Sequence, residues 1–147
     1  MTNKIIALVD DSIYATSVCE HAAWASARRP APVELLHVLG RREAAGRQDL
    51  SGTIRLGARS ALLDELATLD AQRSRIANAQ GRALLEDARK LTERAGGVQV
   101  TTRLEQGDLI EQATGREADP SLIVLGKRGA AADFAQGHLG SNLERIV

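Results

Sequence analysis

The chain has 147 residues, with 19 Lys and Arg against 19 Asp and Glu, so its formal net charge at pH 7 is zero. This balance excludes nucleic-acid binding through bulk positive charge, and an aromatic content of 2% leaves too few rings for a base-stacking platform. A hydrophobic content of 44% with 26% charged residues is typical of a globular protein, and we predict a single domain over residues 1–147.

Short apolar runs predict the strands. Three of them are continuous, at Ile5–Val9, Val33–Leu39 and Leu122–Leu125, which is typical of strands buried on both faces of a parallel sheet. A fourth candidate, Val98–Leu104, alternates in polarity and predicts an edge strand. All of these runs are far shorter than the roughly 20 residues that a membrane helix needs, so we predict no membrane association.

The segments between the runs predict helices and one loop. Apolar residues recur at helical spacing over Ser12–Ala27, over the long stretch Ala58–Ala95 and over the short segment Asp108–Arg116. Residues 41–57 contain three glycines and predict a mobile loop before the long helix. Alternating strands and helices predict an α/β fold: an open, twisted parallel sheet of Rossmann-like type with helices on both faces.

Ligands of such sheets bind beyond the carboxyl ends of the strands, where the strand order reverses. The residues directly after the apolar runs are therefore the candidate site, namely Asp10-Asp11-Ser12, Leu39-Gly40 and Gly126–Gly129. A single glycine in these positions would indicate a turn. The set together, with Gly140 and Ser141 further on, favours a loop whose backbone amides bind phosphate.

Ser141 and Glu144 have the spacing of a capping box, which predicts a helix that begins at Ser141 with its free amides facing outward. Lys127 and Arg128 lie between the first two glycines and would add positive charge, although solvated loop residues are an equally good interpretation. The three histidines, at His21, His37 and His138, have no metal-ligand spacing, so we predict no protein-bound metal site.

The glycine pattern resembles the nucleotide loop of the universal stress protein family, written G-x2-G-x9-G-S/T, with ten residues rather than nine between Gly129 and Gly140. The resemblance extends to Ile5–Ser12, similar to that family's first strand and acidic turn, and to Val33–Val38, similar to its second strand. It implies an adenine nucleotide alpha hydrolase-like fold with strand order 3-2-1-4.

The resemblance also implies a function, a stress-linked regulatory role with ATP and Mg²⁺ as ligands. Asp10 and Val38 would face the adenine and ribose of ATP. The triphosphate would lie against the glycine loop, with a backbone contribution from Asn142; the loop residues are Gly126, Lys127, Arg128, Gly129, Gly140 and Ser141. The sequence shows no Walker lysine motif and no clear general base, so we expect at most slow ATP hydrolysis or self-phosphorylation.

Only six residues follow Ser141, whereas that family adds a fifth strand that forms its dimer edge. We therefore expect a domain that is incomplete at its carboxyl end, the fifth strand missing, and that acts as a homodimer or as half of a tandem pair. Cys19 is the single cysteine, so no internal disulfide can form; together with the lack of a targeting segment, this predicts a cytoplasmic protein.

Two other functions fit parts of the sequence. A nucleotide-free interaction module would dock through the arginine-rich helix of residues 58–95. A phosphoacceptor receiver domain would use Asp10 and Asp11 to bind Mg²⁺, but the aspartate near the middle of the chain, Asp49, follows no apolar run.

Overall fold

The computed structural model describes residues 3–40, 56–107 and 121–126. This part of the chain contains four strands and two helices. In chain order they are β1 (Ile5–Leu8), α1 (Ala15–Arg28), β2 (Val33–Leu39), α2 (Leu56–Arg94), β3 (Val100–Gln106) and β4 (Leu122–Val124).

The four strands form one parallel sheet in the order β3-β2-β1-β4. Ile5 pairs with Val33 on one side and with Leu122 on the other. The chain moves outward from β1 through β2 to β3 and then returns to the opposite flank of β1 at β4. The predicted order 3-2-1-4 is confirmed, and the strand order reverses between β1 and β4.

The sheet is apolar on both faces, which explains why its strands are continuous apolar runs. On one face, α1 and α2 cover the odd-numbered residues of β1 and β2; the buried cluster is Ile5, Ala7, Val9, Val18, Cys19, Ala22, Ala31, Val33, Leu35, Leu85 and Ala88. On the other face, Ile6, Leu8 and Leu36 form a second buried cluster. The helix predicted at 108–116 lies outside the described residues.

Small side chains let α1 lie close to the sheet. Cys19, Ala22 and Ala23 are at most 1% exposed, and burial raises the pKa of the Cys19 thiol. The helix ends before Pro30, as the sequence predicts. Just inside this end, the buried Ser26 hydroxyl donates to the Ala31 carbonyl at 2.8 Å and accepts the Val98 N–H at 3.2 Å. This serine therefore joins the end of α1 to the segments that lead into β2 and β3.

The long helix α2 has 39 residues and is about 58 Å long. From Ser60 onward, its buried residues lie in the carboxyl-terminal half, at Gly81, Leu85, Ala88 and Thr92. Gly81 allows the closest approach, because a Cβ there would lie 2.9 Å from Leu104 Cδ1 and 3.2 Å from His37 Cδ2. No described helix is both long enough and apolar enough to cross a membrane.

Several predicted boundaries shift by one to three residues. The helix begins at Leu56, so the last two residues of the predicted loop 41–57 are helical; residues 41–55 lie outside the described part. The third strand begins at Val100 rather than Val98, because Gly96 and Gln99 adopt positive φ angles of 103° and 48° in the turn before it. The predicted edge position of this strand is confirmed.

An ionic cluster crosses the amino-terminal side of the sheet. Glu34 on β2 lies between Lys4, at 3.0 Å, and Arg103 on β3, at 3.1 Å. Glu34 is only 14% exposed; its Oε2 accepts a hydrogen bond from Lys4, whereas its Oε1 contacts Arg103 through charge attraction without a hydrogen bond. Near the same end, the Ser121 hydroxyl donates to the Lys4 carbonyl at 3.0 Å and ties the start of β4 to β1.

Candidate functional site

The carboxyl ends of β1 and β4 bring the acidic turn and the first loop glycine to the same edge of the sheet. Ala7 pairs with Val124, so continuing this register places Gly126 level with Val9 and next to Asp10. On the other flank, Leu8 pairs with Leu36 and the Val9 N–H also donates to Leu36 O, so the half-buried Val38 follows on β2 beside the point where the chain turns into Asp10. The structure therefore brings three predicted site residues together at the point where the strand order reverses.

The turn after β1 holds the Asp10 carboxylate in a fixed direction. Its Oδ1 accepts the Ser12 N–H at 3.0 Å, and the Ser12 hydroxyl in turn accepts the Tyr14 N–H at 3.3 Å. Such side-chain-to-backbone bonds take the place of regular backbone pairing where a strand passes into a helix. Among the described residues, no donor contacts Asp10 Oδ2, so this half-buried carboxylate keeps an oxygen with which to accept a hydrogen bond from a ligand.

His37 on β2 fixes the backbone directly before this turn. Its Nδ1 lies 2.7 Å from the Val9 carbonyl, and because a carbonyl only accepts, Nδ1 carries the proton. The Val9 N–H still donates to Leu36 O at 2.9 Å, as in a regular parallel ladder. The imidazole thus hydrogen-bonds the Val9 carbonyl, which β2 would otherwise leave without a partner. The chain can therefore turn away from the sheet at Asp10, while β2 continues to Leu39.

Sequence reasoning considered His37 as a possible metal ligand and missed this role. The available signal was its position, as the polar residue near the carboxyl end of an otherwise apolar run. Gly107 was missed as well. It follows β3 directly, adopts a φ of +118° that favours glycine, and donates to the Leu39 carbonyl at 3.0 Å. With Gly40 and Gly126, it leaves three of the four described strands ending in glycine, so few side chains obstruct this rim.

The remaining predicted site residues lie outside the described residues. They are Lys127, Arg128, Gly129, Gly140, Ser141 and Asn142, together with Asp49 of the receiver alternative. Within the described ranges, the His, Cys, Asp and Glu side chains form no cluster of three or more able to hold a metal ion.

A groove of about 490 Å³ runs along α1 and ends at Gly126 on this rim. One wall is a stripe of α1 that includes Tyr14, His21 and Trp24, and the other is β4. Trp24 is 58% exposed, and the Arg28 guanidinium stacks 4.7 Å from its ring centroid. The rim therefore continues into an open, partly aromatic groove on the flank of α1.

A parallel sheet whose strand order reverses at β1, with an acidic turn and a glycine at that point, defines the class of α/β proteins that bind ligands at this switch point. The model of the universal stress protein family matches residues 1–147. Universal stress protein Slr1230 from Synechocystis is 32% identical over 146 residues, a match that covers 98% of this chain and 51% of the relative. The chain belongs to the universal stress protein family, and it spans about half the length of this relative.

Solved structures confirm the predicted fold. The hypothetical protein MJ0577 superposes with a TM-score of 0.71 at 20% identity, covering 99% of this chain and 88% of that one. The universal stress protein UspA from Lactobacillus plantarum superposes with a TM-score of 0.61 at 20% identity, covering 100% and 92%. A family member from Burkholderia pseudomallei gives 0.55 at 24% identity, covering 89% and 86%.

Proposed function

We propose that the chain binds an adenine nucleotide, ATP together with Mg²⁺, in the crevice between the carboxyl ends of β1 and β4, and that it acts as a stress-response regulator. The observation that carries this proposal is the meeting of Asp10 and Gly126 at one rim, where the strand order reverses. Family membership favours this function over the receiver alternative.

Each residue at the rim suits one part of a nucleotide. Asp10 Oδ2 is placed to accept a hydrogen bond from a ribose hydroxyl, because Oδ1 is already bound to the turn. Val38 offers an apolar surface to the adenine ring, and Gly126 lets phosphate oxygens approach the backbone. We assign the rest of the phosphate contacts to the glycine loop, that is, to Lys127, Arg128, Gly129, Gly140, Ser141 and Asn142.

The carboxylates of Asp10 and Asp11 are oxygen donors of the kind that Mg²⁺ prefers, and Mg²⁺ would neutralise part of the phosphate charge. Asp10 is committed to its own turn through Oδ1, and Asp11 is exposed to solvent, so neither is positioned as a buried general base. We therefore propose that occupancy by ATP, rather than its turnover, is the signal, with hydrolysis slow or absent.

We also propose that the protein is cytoplasmic and that it works with a second domain of its own kind, as a homodimer or as half of a tandem chain. The length of the Synechocystis relative, about twice that of this chain, supports such a pair.

Calorimetric titration with Mg-ATP tests the site through Asp10→Asn. The amide keeps an oxygen for the Ser12 N–H, so the turn survives, while the negative charge and the second acceptor oxygen are lost. We expect ATP affinity to fall roughly 10- to 100-fold, the worth of one or two hydrogen bonds to a charged group. The matched control is Glu20→Gln on the exposed surface of α1, which removes the same charge away from the rim and should leave affinity unchanged. Equal affinity in wild type and Asp10→Asn would show that the rim does not bind the nucleotide.

A further inference from the structure

The amino-terminal half of α2 extends beyond the sheet. Gly81 packs against His37 and Leu104 in the carboxyl halves of their strands, whereas Gly97, just after the helix, lies against Val100 at the start of β3. The helix therefore passes over the sheet between these two points, and residues 60–80, which make up about 30 Å of helix, continue from Gly81 towards and past the carboxyl edge. No residue from 60 to 80 is buried.

This projecting segment carries an ordered apolar stripe. Leu62, Leu66, Leu69 and Ile76 follow one another at spacings of four, three and seven residues, which is the heptad spacing of a coiled-coil seam. Leu69 is 50% exposed and Ile76 is 58% exposed, and the neighbouring Leu63 is 47% exposed. Single exposed leucines are ordinary on protein surfaces, but a heptad seam that joins the half-buried Leu62 and Leu66 to the exposed Leu69 and Ile76 indicates a partner helix.

A charged residue within the seam restricts what that partner can be. Arg73 occupies the heptad position between Leu69 and Ile76, and it is exposed. A purely apolar partner would bury this guanidinium without an acceptor, which is costly. The partner helix must therefore carry an acid beside the residue that faces Arg73, and apolar residues on either side.

The same segment of a second copy meets this requirement when the two helices run antiparallel with Ala71 at the centre. That alignment sets Leu66 against Ile76 of the second copy and Leu69 against Arg73 of the second copy. Asp70, next to Leu69, then lies beside the arginine of the other helix, so two aspartates and two arginines form a balanced cluster at the two-fold axis. Leu62 lies opposite Gln80 at each end of the seam.

We propose that residues 62–80 of α2 form an antiparallel coiled coil with the same segment of a second copy of this chain. The domains themselves favour this direction. Each sheet is held by the carboxyl-terminal half of its own helix, so antiparallel pairing places the two sheets at opposite ends of the coiled coil, whereas parallel pairing would bring them together at the same end. The proposal does not depend on nucleotide binding.

Sedimentation equilibrium of the 147-residue chain over a concentration series tests whether the apolar seam of α2 mediates self-association. We expect a self-association that Ile76→Glu weakens more than about tenfold, because the substitution places a carboxylate against Leu66 of the second copy in the apolar part of the seam. Ala71→Glu introduces the same charge on the opposite side of the same helix and should change the dissociation constant by less than about twofold. Unchanged circular dichroism would show that both variants remain folded. A chain that stays monomeric, or an association that Ile76→Glu leaves intact, would overturn the proposal.

Charge exchange tests the central cluster. In a homodimer, Arg73→Asp makes all four charges of the cluster negative, and Asp70→Arg makes all four positive. Because like charges repel, each variant alone should lose the association. An equimolar mixture places two acids against two bases and should recover the wild-type mass. Failure of the mixture to associate would exclude the proposed cluster.

Cross-linking tests the direction. Leu62→Cys and Gln80→Cys, mixed and oxidised with oxidised glutathione, should form a disulfide between the two variants, and each variant alone should form little. Cys19, at 1% exposure, does not interfere. A disulfide formed by Leu62→Cys alone would show parallel pairing and contradict the proposal.

Discussion

The polar groups at the two ends of the sheet differ in whether they are paired within the protein or remain available to a ligand. At the amino end, Ser26 both donates and accepts a hydrogen bond, and Glu34 sits between two cations. At the carboxyl end, Asp10 uses one oxygen to shape its turn and keeps the other available, and glycines replace side chains along the rim. The comparison shows how one sheet separates stability from binding. The polar groups at the amino end pair with other groups of the protein and stabilise the fold, whereas those at the carboxyl end are held in a fixed direction and leave space for a ligand.

The largest effect is expected at the amino end. Ser26→Ala removes a buried hydroxyl that serves the Ala31 carbonyl and the Val98 N–H together. Leaving the carbonyl of the buried Ala31 and the part-buried Val98 N–H unpaired should lower the free energy of unfolding by about 2–3 kcal/mol in urea denaturation. Because the site is at the other edge, affinity for Mg-ATP should stay at the wild-type value. A Ser26→Ala variant that is folded but binds Mg-ATP more weakly than wild type would contradict the separation of stability and binding between the two ends of the sheet.

A smaller effect is expected from Glu34→Gln, which removes the charge between Lys4 and Arg103 but keeps the shape of the side chain. Both ion pairs lose their Coulombic attraction in a site that is only partly exposed, so stability should fall by about 1–2 kcal/mol. Urea denaturation of the variant at low and high salt measures this. The difference from wild type should shrink at high salt, and a salt-independent loss would indicate that packing rather than charge stabilises the cluster.

The smallest change in stability is expected at the carboxyl end. His37→Leu removes the donor to the Val9 carbonyl and should cost about 1 kcal/mol. ATP affinity should nevertheless fall, because the carbonyl that precedes Asp10 loses its anchor. His37→Asn is the matched variant, since its amide nitrogen can replace Nδ1 as the donor and should restore affinity. If both variants bind ATP equally, His37 does not position the turn.

The architecture was predictable because it rests on short continuous apolar runs, which specify strands buried on both faces. Ile5–Leu8 and Val33–Leu39 were recognised in this way, and their parallel order followed from the resemblance. The start of β3 was not predictable, because the positive φ at Gln99 is imposed by the turn and carries no sequence signal. The contact between His37 and Val9 joins residues 28 positions apart, so it appears only when the strands are aligned.

The two halves of α2 show the same limit on a larger scale. Both repeat apolar residues at helical spacing, yet only the half that contains Leu85 and Ala88 is buried. Periodicity identifies a helix and its apolar stripe, but it does not say whether that stripe meets the chain's own sheet or another molecule.

Trp24 is the single tryptophan of the chain, and it lies in the wall of the groove that ends at Gly126. Its indole emission therefore originates from one flank of one helix, under an arginine that stacks on the ring. Any molecule that enters this groove will alter the solvent around the fluorophore. The protein thus carries an intrinsic optical probe beside its rim, with no dye to attach and no second tryptophan to confuse the spectrum.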